Sequence, residues 1–206
     1  MKVFNLINRH NNNTYSSNAY YIRGEWNTLE DVNTLIDVGR DPILFTELEK
    51  LNTGVGKTRV EKVLLTHGHY DHCSNLSKIV DLWHPQVYAL SRSIANVTDI
   101  VREDMNIRIG DREAVVIICP GHSSDSVCFY IPDEKVLFSG DNQLVNIGPG
   151  NYQSDFIKSL EKISMLDIRT IYPGHGEPIV KDCNNKIRES LRLLIGENML
   201  NRQNGL

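Results

Sequence analysis

His67, His69, Asp71 and His72 stand within six residues, directly after the apolar run Val63-Leu64-Leu65-Thr66. Imidazole nitrogens and a carboxylate at such close spacing are ligands that divalent transition metals accept. Three further residues of the same types stand in similar contexts downstream. His122 follows the apolar run from Val115 to Cys119, Asp141 follows Val136 to Gly140, and His175 follows Ile171 to Gly174. Each has a glycine beside it. Ligands carried on turns at strand ends can converge on a single cleft, which makes metal-assisted chemistry the first expectation.

The elements that would carry these residues follow from local patterning. Val63 to Thr66 is short, rich in branched residues and bounded by polar sequence, as a buried strand is. Gly68 lets the chain turn tightly between the first two histidines. Leu76, Ile79, Val80 and Trp83 recur at helical spacing over the segment from Cys73 to Trp83, so Asp71 and His72 lie near a helix start. The expected unit is strand, ligand turn, helix. Further strands are expected over 1–7, 18–22, 34–38, 86–89, 107–109, 114–119, 126–131 and 135–138. Asp41 followed by Pro42 predicts a helix with aspartate as its cap and proline at its first position. Ser154 is the expected cap of a helix carrying Phe156, Leu160 and Ile163, and a last helix is expected over 182–200. Residues 91–99 read as a weak helix or loop. His84, before Pro85, reads as structural.

With these residues in place, the sequence resembles the metallo-β-lactamase-fold superfamily. The match is His-x-His-x-Asp-His at 67–72, then His122, Asp141 and His175 at the family's intervals. It runs from Asn18 to Ile22 and Leu35 to Gly39 through Tyr172 to Pro178. The resemblance implies an α/β fold, a four-layer αββα sandwich, with a dinuclear site at one sheet edge. By motif position His67, His69 and His122 hold the first ion. Asp71, His72 and His175 hold the second, and Asp141 bridges them. Two divalent ions, zinc first with iron and manganese compatible, would share a hydroxide that attacks an ester-like or phosphoryl centre. Asp71 and Asp141 are then the catalytic carboxylates. True metallo-β-lactamases usually carry cysteine where Asp141 stands, so penicillin is not the expected substrate. The loop from Gly140 to Asn151 is similar to that of glyoxalase II, which points to thioester hydrolysis, with Asn151 and Tyr152 as candidate substrate-binding residues. Asn151 occupies a position where that family places a basic, glutathione-binding residue. The other readings are a mononuclear iron persulfide dioxygenase and a lactonase or phosphodiesterase of the same fold.

The rest of the chain narrows the partners. At 206 residues it suits a single domain over 1–206, and its net charge of −4 gives no electrostatic argument for nucleic acid or anionic membrane. A small-molecule substrate is expected. No stretch approaches a membrane span, and the first seven residues lack the sustained apolar core of a signal peptide. Four cysteines without paired spacing suit free thiols in a reducing cytoplasm. Gly54 to Thr58 resembles part of a phosphate loop, but Leu51 stands where its first glycine is required, so nucleotide binding is rejected. Asn8 to Asn18 reads as a polar, solvated hairpin loop, and the resemblance to the metallo-β-lactamase fold implies instead that it walls the substrate cleft; His10 within it is not expected to be a ligand.

Overall fold

In the computed structural model, residues 1–7, 14–148 and 152–203 are described, with side chains to residue 196. Six strands form the first sheet in chain order: β1 (Lys2–Asn5), β2 (Tyr20–Arg23), β3 (Thr34–Ile36), β4 (Lys62–Leu64), β5 (Gln86–Ala89) and β6 (Asp99–Ile100). The first two pairings are antiparallel and the last three parallel. The second sheet contains β7 (Asn106–Ile109), β8 (Arg112–Ile118), β9 (Val127–Ile131), β10 (Val136–Gly140) and β11 (Thr170–Pro173), in the order β11-β10-β9-β8-β7. Helices α1 (Ile43–Lys50), α2 (Tyr70–Cys73) and α3 (Leu76–Trp83) belong to the first half of the chain. Helices α4 (Ser154–Ser164) and α5 (Cys183–Gln203) belong to the second.

Strand periodicity explains the four layers. Successive side chains point to opposite faces, so a sheet covered on both sides needs apolar residues at consecutive positions. Tyr21, Leu35 and Val63 pack with Leu44 and Leu48 of α1 and Leu76 and Ile79 of α3. Their neighbours Tyr20, Ile22, Ile36 and Leu64 turn the other way and meet Val116, Phe129 and Phe138 of the second sheet. Cys128, Tyr130 and Leu137 face outward against Phe156, Leu160 and Ile163 of α4 and Ile187 and Leu194 of α5. Three apolar layers between four structural ones are the expected αββα sandwich.

Several local details differ from the sequence reading. The helix after the ligand turn is interrupted at Ser74 and Asn75, because Asn75 Nδ2 turns back to donate to Val38 O at 3.0 Å and Asp41 O at 3.1 Å. Asp41 Oδ1 accepts the Ile43 N–H at 3.0 Å as a cap would, but the helix itself starts after Pro42. Ser154 is the first residue of α4 rather than its cap. Gln153 takes the cap position, with no side-chain cap bond. Within 91–99 the expected loop runs into a short edge strand, β6, which pairs parallel with β5. His84 ends α3 in the left-handed conformation, with φ 49°. Among the described residues, no helix is long and apolar enough to cross a membrane.

Candidate metal centre

The ligand turn lies where the two sheets meet. Leu65 N–H still bonds to Tyr88 O of the first sheet at 2.9 Å, whereas Thr66 O accepts from Val127 N–H of the second at 2.8 Å. His67 therefore leaves β4 at the junction. His122 comes from the β8–β9 connection, Asp141 follows β10, and His175 follows β11. All seven predicted ligands come together in two groups. His67, His69 and His122 form one, and Asp71, His72, Asp141 and His175 the other, with ligand atoms in each group within 4.8 Å of one another.

Asp141 stands between the groups. Its Oδ1 lies 3.1 Å from His72 Nε2, and its Oδ2 lies 3.6 Å from His122 Nε2 and 3.4 Å from His175 Nε2. Asp71 Oδ2 is 3.0 Å from His175 Nε2 and 3.7 Å from His72 Nε2. In the other group, His122 Nε2 and His69 Nδ1 are 2.8 Å apart, an approach that requires a shared proton or a shared cation. The fit to metal ions rests on buried atoms. His67 Nε2, His72 Nε2 and Asp141 Oδ1 are shielded from solvent with no hydrogen-bond partner, although His72 and Asp141 approach closely without the alignment a hydrogen bond needs. Unsatisfied buried polar atoms are costly and need an explanation. Two groups of nitrogen and oxygen donors, three of whose atoms are orphaned, match the demands of divalent ions.

A residue that the sequence reading passed over organises both groups. Asp37 follows β3, is buried, and adopts φ 53°, a conformation that aspartate tolerates better than most residues. Its Oδ1 accepts the Thr66 N–H at 2.8 Å, and its Oδ2 accepts the Thr66 hydroxyl at 2.7 Å. The same Oδ2 lies 2.8 Å from His72 Nδ1, and Thr66 Oγ1 lies 3.1 Å from His67 Nδ1. The network requires a proton on Nδ1 of each ring and turns Nε2 toward the centre. One carboxylate thus orients a histidine of each group, directly and through a threonine. The signal was available: Asp37 follows an apolar run with Gly39 close behind, the same context as the ligands.

Electrostatics separate the two groups. Burial pushes the His67 imidazole down to about 4, which keeps it neutral and free to ligate. Burial also lowers His122. For His72 burial acts the same way, but the Asp37 and Asp141 carboxylates outweigh it and raise the ring to about 10. His175 is raised, chiefly by its hydrogen bond with Asp141. Burial opposes the charged form of Asp141, yet His175 and His72 together hold its carboxyl below the ordinary range.

Backbone fit is equally tight. A Cβ on Gly174 would stand 2.1 Å from Asp141 Oδ1 and 2.7 Å from His72 Cε1, so only glycine lets the His175 turn pass the ligands. That turn is held by Asn18 Nδ2, which donates to Pro173 O at 2.9 Å and Gly176 O at 3.0 Å, and by the Tyr20 hydroxyl, 2.7 Å from Pro173 O. From the first loop, Tyr15 stacks on His175 with ring centroids 4.9 Å apart, and Ser17 N–H bonds to Asp71 O at 3.1 Å. Tyr15 and Ser17 thus reach the cleft, while residues 8–13 of the expected loop, His10 among them, lie outside the described residues. Nothing in the spacing around Tyr15 marks it as a site residue. Tyr152 lines a cavity of about 180 Å³ with His122, Asp141 and Phe156, and Asn151 lies outside the described residues.

Comparison with known proteins agrees with this geometry. A family model described as the metallo-beta-lactamase superfamily matches residues 12–175. The chain is 35% identical over 129 residues to a hydroxyacylglutathione hydrolase of Francisella tularensis subsp. novicida, covering 58% of this chain and 50% of that protein. It is 26% identical over 162 residues to an atrochrysone carboxyl ACP thioesterase of Aspergillus fumigatus, covering 76% and 51%. The chain thus spans about half the length of these curated relatives. A metallo-beta-lactamase family protein of Thermus thermophilus superposes with a TM-score of 0.70 at 20% identity, over 94% of this chain and 79% of that one. A matched family model over most of its length and a shared fold place one conclusion beyond the ligand geometry: this chain belongs to the metallo-beta-lactamase superfamily.

Proposed function

We propose that this protein is a dinuclear metal-dependent hydrolase acting on an acyl thioester or a related ester, with zinc as its ions. The observation that carries the reading is the pair of donor groups joined by Asp141, with buried atoms of both groups left unpaired. His67, His69 and His122 would hold one ion, and Asp71, His72 and His175 the other. Bound there, divalent ions supply a hydroxide nucleophile near neutral pH and polarise the acyl oxygen.

The side chains do the remaining work. Asp141 has Oδ1 beside His72 and Oδ2 between His122 and His175, so its carboxylate would serve ions held by either group. Asp71 Oδ2, beside His175 Nε2, is placed to orient the attacking oxygen and hold its proton. Asp37 keeps the His67 and His72 rings in the ligating tautomer. His69 and His122 are exposed, so substrate approaches from their side. Hydrolysis then yields a carboxylate and a thiol.

The relatives named as an acylglutathione hydrolase and an acyl carrier thioesterase support the thioester assignment. Four free cysteines support a reducing, cytoplasmic location. Metal analysis combined with a panel of thioesters, lactones and phosphodiesters tests the proposal. Two ions per chain with preferential thioester turnover is the expected result. A single bound iron, or turnover of phosphodiesters alone, would overturn it.

A further inference from the structure

A cavity of about 350 Å³ opens beside the centre, reached past His122, Asp141 and His175. Leu144, Val145, Ile171 and Ile179 contribute aliphatic walls to it. Leu144 and Ile171 are buried, Val145 and Ile179 half-buried, and Ile171 and Ile179 exchange backbone hydrogen bonds at 2.9 Å that brace this wall.

Besides the ligands, the polar side chains on the lining are Ser139, Asn142, Gln143 and the Glu177 carboxylate, and Gln143 Nε2 is committed to Asn146 O at 2.9 Å. Ser139 Oγ donates to Gly140 O at 3.2 Å. Asn142 Oδ1 accepts the His122 N–H at 3.2 Å, and its Nδ2 faces Cys128 Sγ at 3.8 Å. No lysine or arginine stands among the described residues lining the space. A ligand here meets ion-binding atoms, four aliphatic side chains and one carboxylate, and no cationic side chain among the described residues.

We infer that the substrate's acyl group is an apolar chain, seated between Leu144, Val145, Ile171 and Ile179 with its carbonyl end at Asp141 and His175. This rests on the proposed hydrolase reading and specifies its substrate class. A short hydroxyacyl group would leave the aliphatic walls wet, and an anionic thiol carrier would find no cation on them. Burying each methylene removes apolar surface from water and tightens binding roughly threefold to fourfold. Affinity should therefore climb with chain length until the cavity is full.

The test is calorimetric binding of the product class to zinc-loaded protein, using acetate, butyrate, hexanoate, octanoate and lactate. Affinity is expected to rise at least tenfold from acetate to hexanoate, with lactate no tighter than acetate. Val145→Trp, which fills the space, should cut the octanoate-to-acetate affinity ratio at least tenfold. Ile179→Ser should lower the same ratio if the tryptophan variant fails to fold. Equal affinities along the series, or a ratio unmoved in a folded variant, would overturn the inference. Length-dependent binding without turnover of any acyl thioester would retain the chain pocket and reject the hydrolase reading, so the two failures are distinguishable.

Discussion

Asp37→Asn separates the role of ring orientation from that of ligation. Asparagine keeps the size of the side chain and tolerates the left-handed backbone at φ 53°. The amide, however, has one acceptor oxygen where the carboxylate has two. If that oxygen keeps the Thr66 N–H, the NH₂ group faces both Thr66 Oγ1 and His72 Nδ1. The neutral His72 ring must then accept at Nδ1 and carry its proton on Nε2, which lies 3.1 Å from Asp141 Oδ1. That proton blocks the ligand atom. Loss of an outer partner of this kind typically weakens metal binding 10- to 100-fold, or about 1.4–2.7 kcal/mol. The group containing His72 should lose most, and the group containing His67, reached only through Thr66, should lose less. Competition against a chromophoric chelator gives both affinities, and nitrogen-15 shifts of the imidazoles report the tautomer. Two ions bound with wild-type affinity, with His72 still protonated at Nδ1, would refute the reasoning.

Three further outcomes follow from the same geometry. Verified removal of metal should lower the melting temperature by about 8–16 °C for each ion lost, since one ion at a thousandfold excess over Kd stabilises by about 4 kcal/mol and a domain of this size shifts about 2–4 °C per kcal/mol; calorimetry on ion-free and reloaded protein checks this. Gly174→Ala should abolish binding at the His72 group while leaving far-ultraviolet dichroism intact, because its Cβ would stand 2.1 Å from Asp141 Oδ1. In ion-free protein the His72 ring is held charged up to about 10, so an incoming ion must displace its proton. Binding should then release about one proton or more at pH 7.5 and tighten as pH rises, as titrations in buffers of different ionisation enthalpy would show.

The ligands were legible because their types are rare in such density and each follows an apolar run that reads as a strand. The four layers were less so from local pattern alone. Consecutive apolar residues such as Leu35-Ile36 and Leu64-Leu65 announce burial on both faces, but their partners are set by topology. Asp37 and Tyr15 escaped for different reasons. Asp37 acts through hydrogen bonds to Thr66 and His72, a relation that sequence distance conceals. Tyr15 meets His175 across 160 residues of chain, a contact that local sequence does not announce. Helix boundaries slipped where a side chain made a non-helical bond, as at Asn75, or where the preceding residue took the cap position, as at Gln153. The cavity walls combine residues from separate turns, Leu144 with Ile171 and Ile179, and no single stretch displays them.

The central claim is that both donor groups, joined by Asp141, act as one reaction centre. It is tested most directly by adding zinc in measured equivalents to ion-free protein while following thioester hydrolysis. Activity is predicted to rise to a plateau at two equivalents per chain, and Asp141→Asn is predicted to lower kcat at least about 100-fold at the same plateau. A plateau at one equivalent, or undiminished kcat in Asp141→Asn, would contradict it.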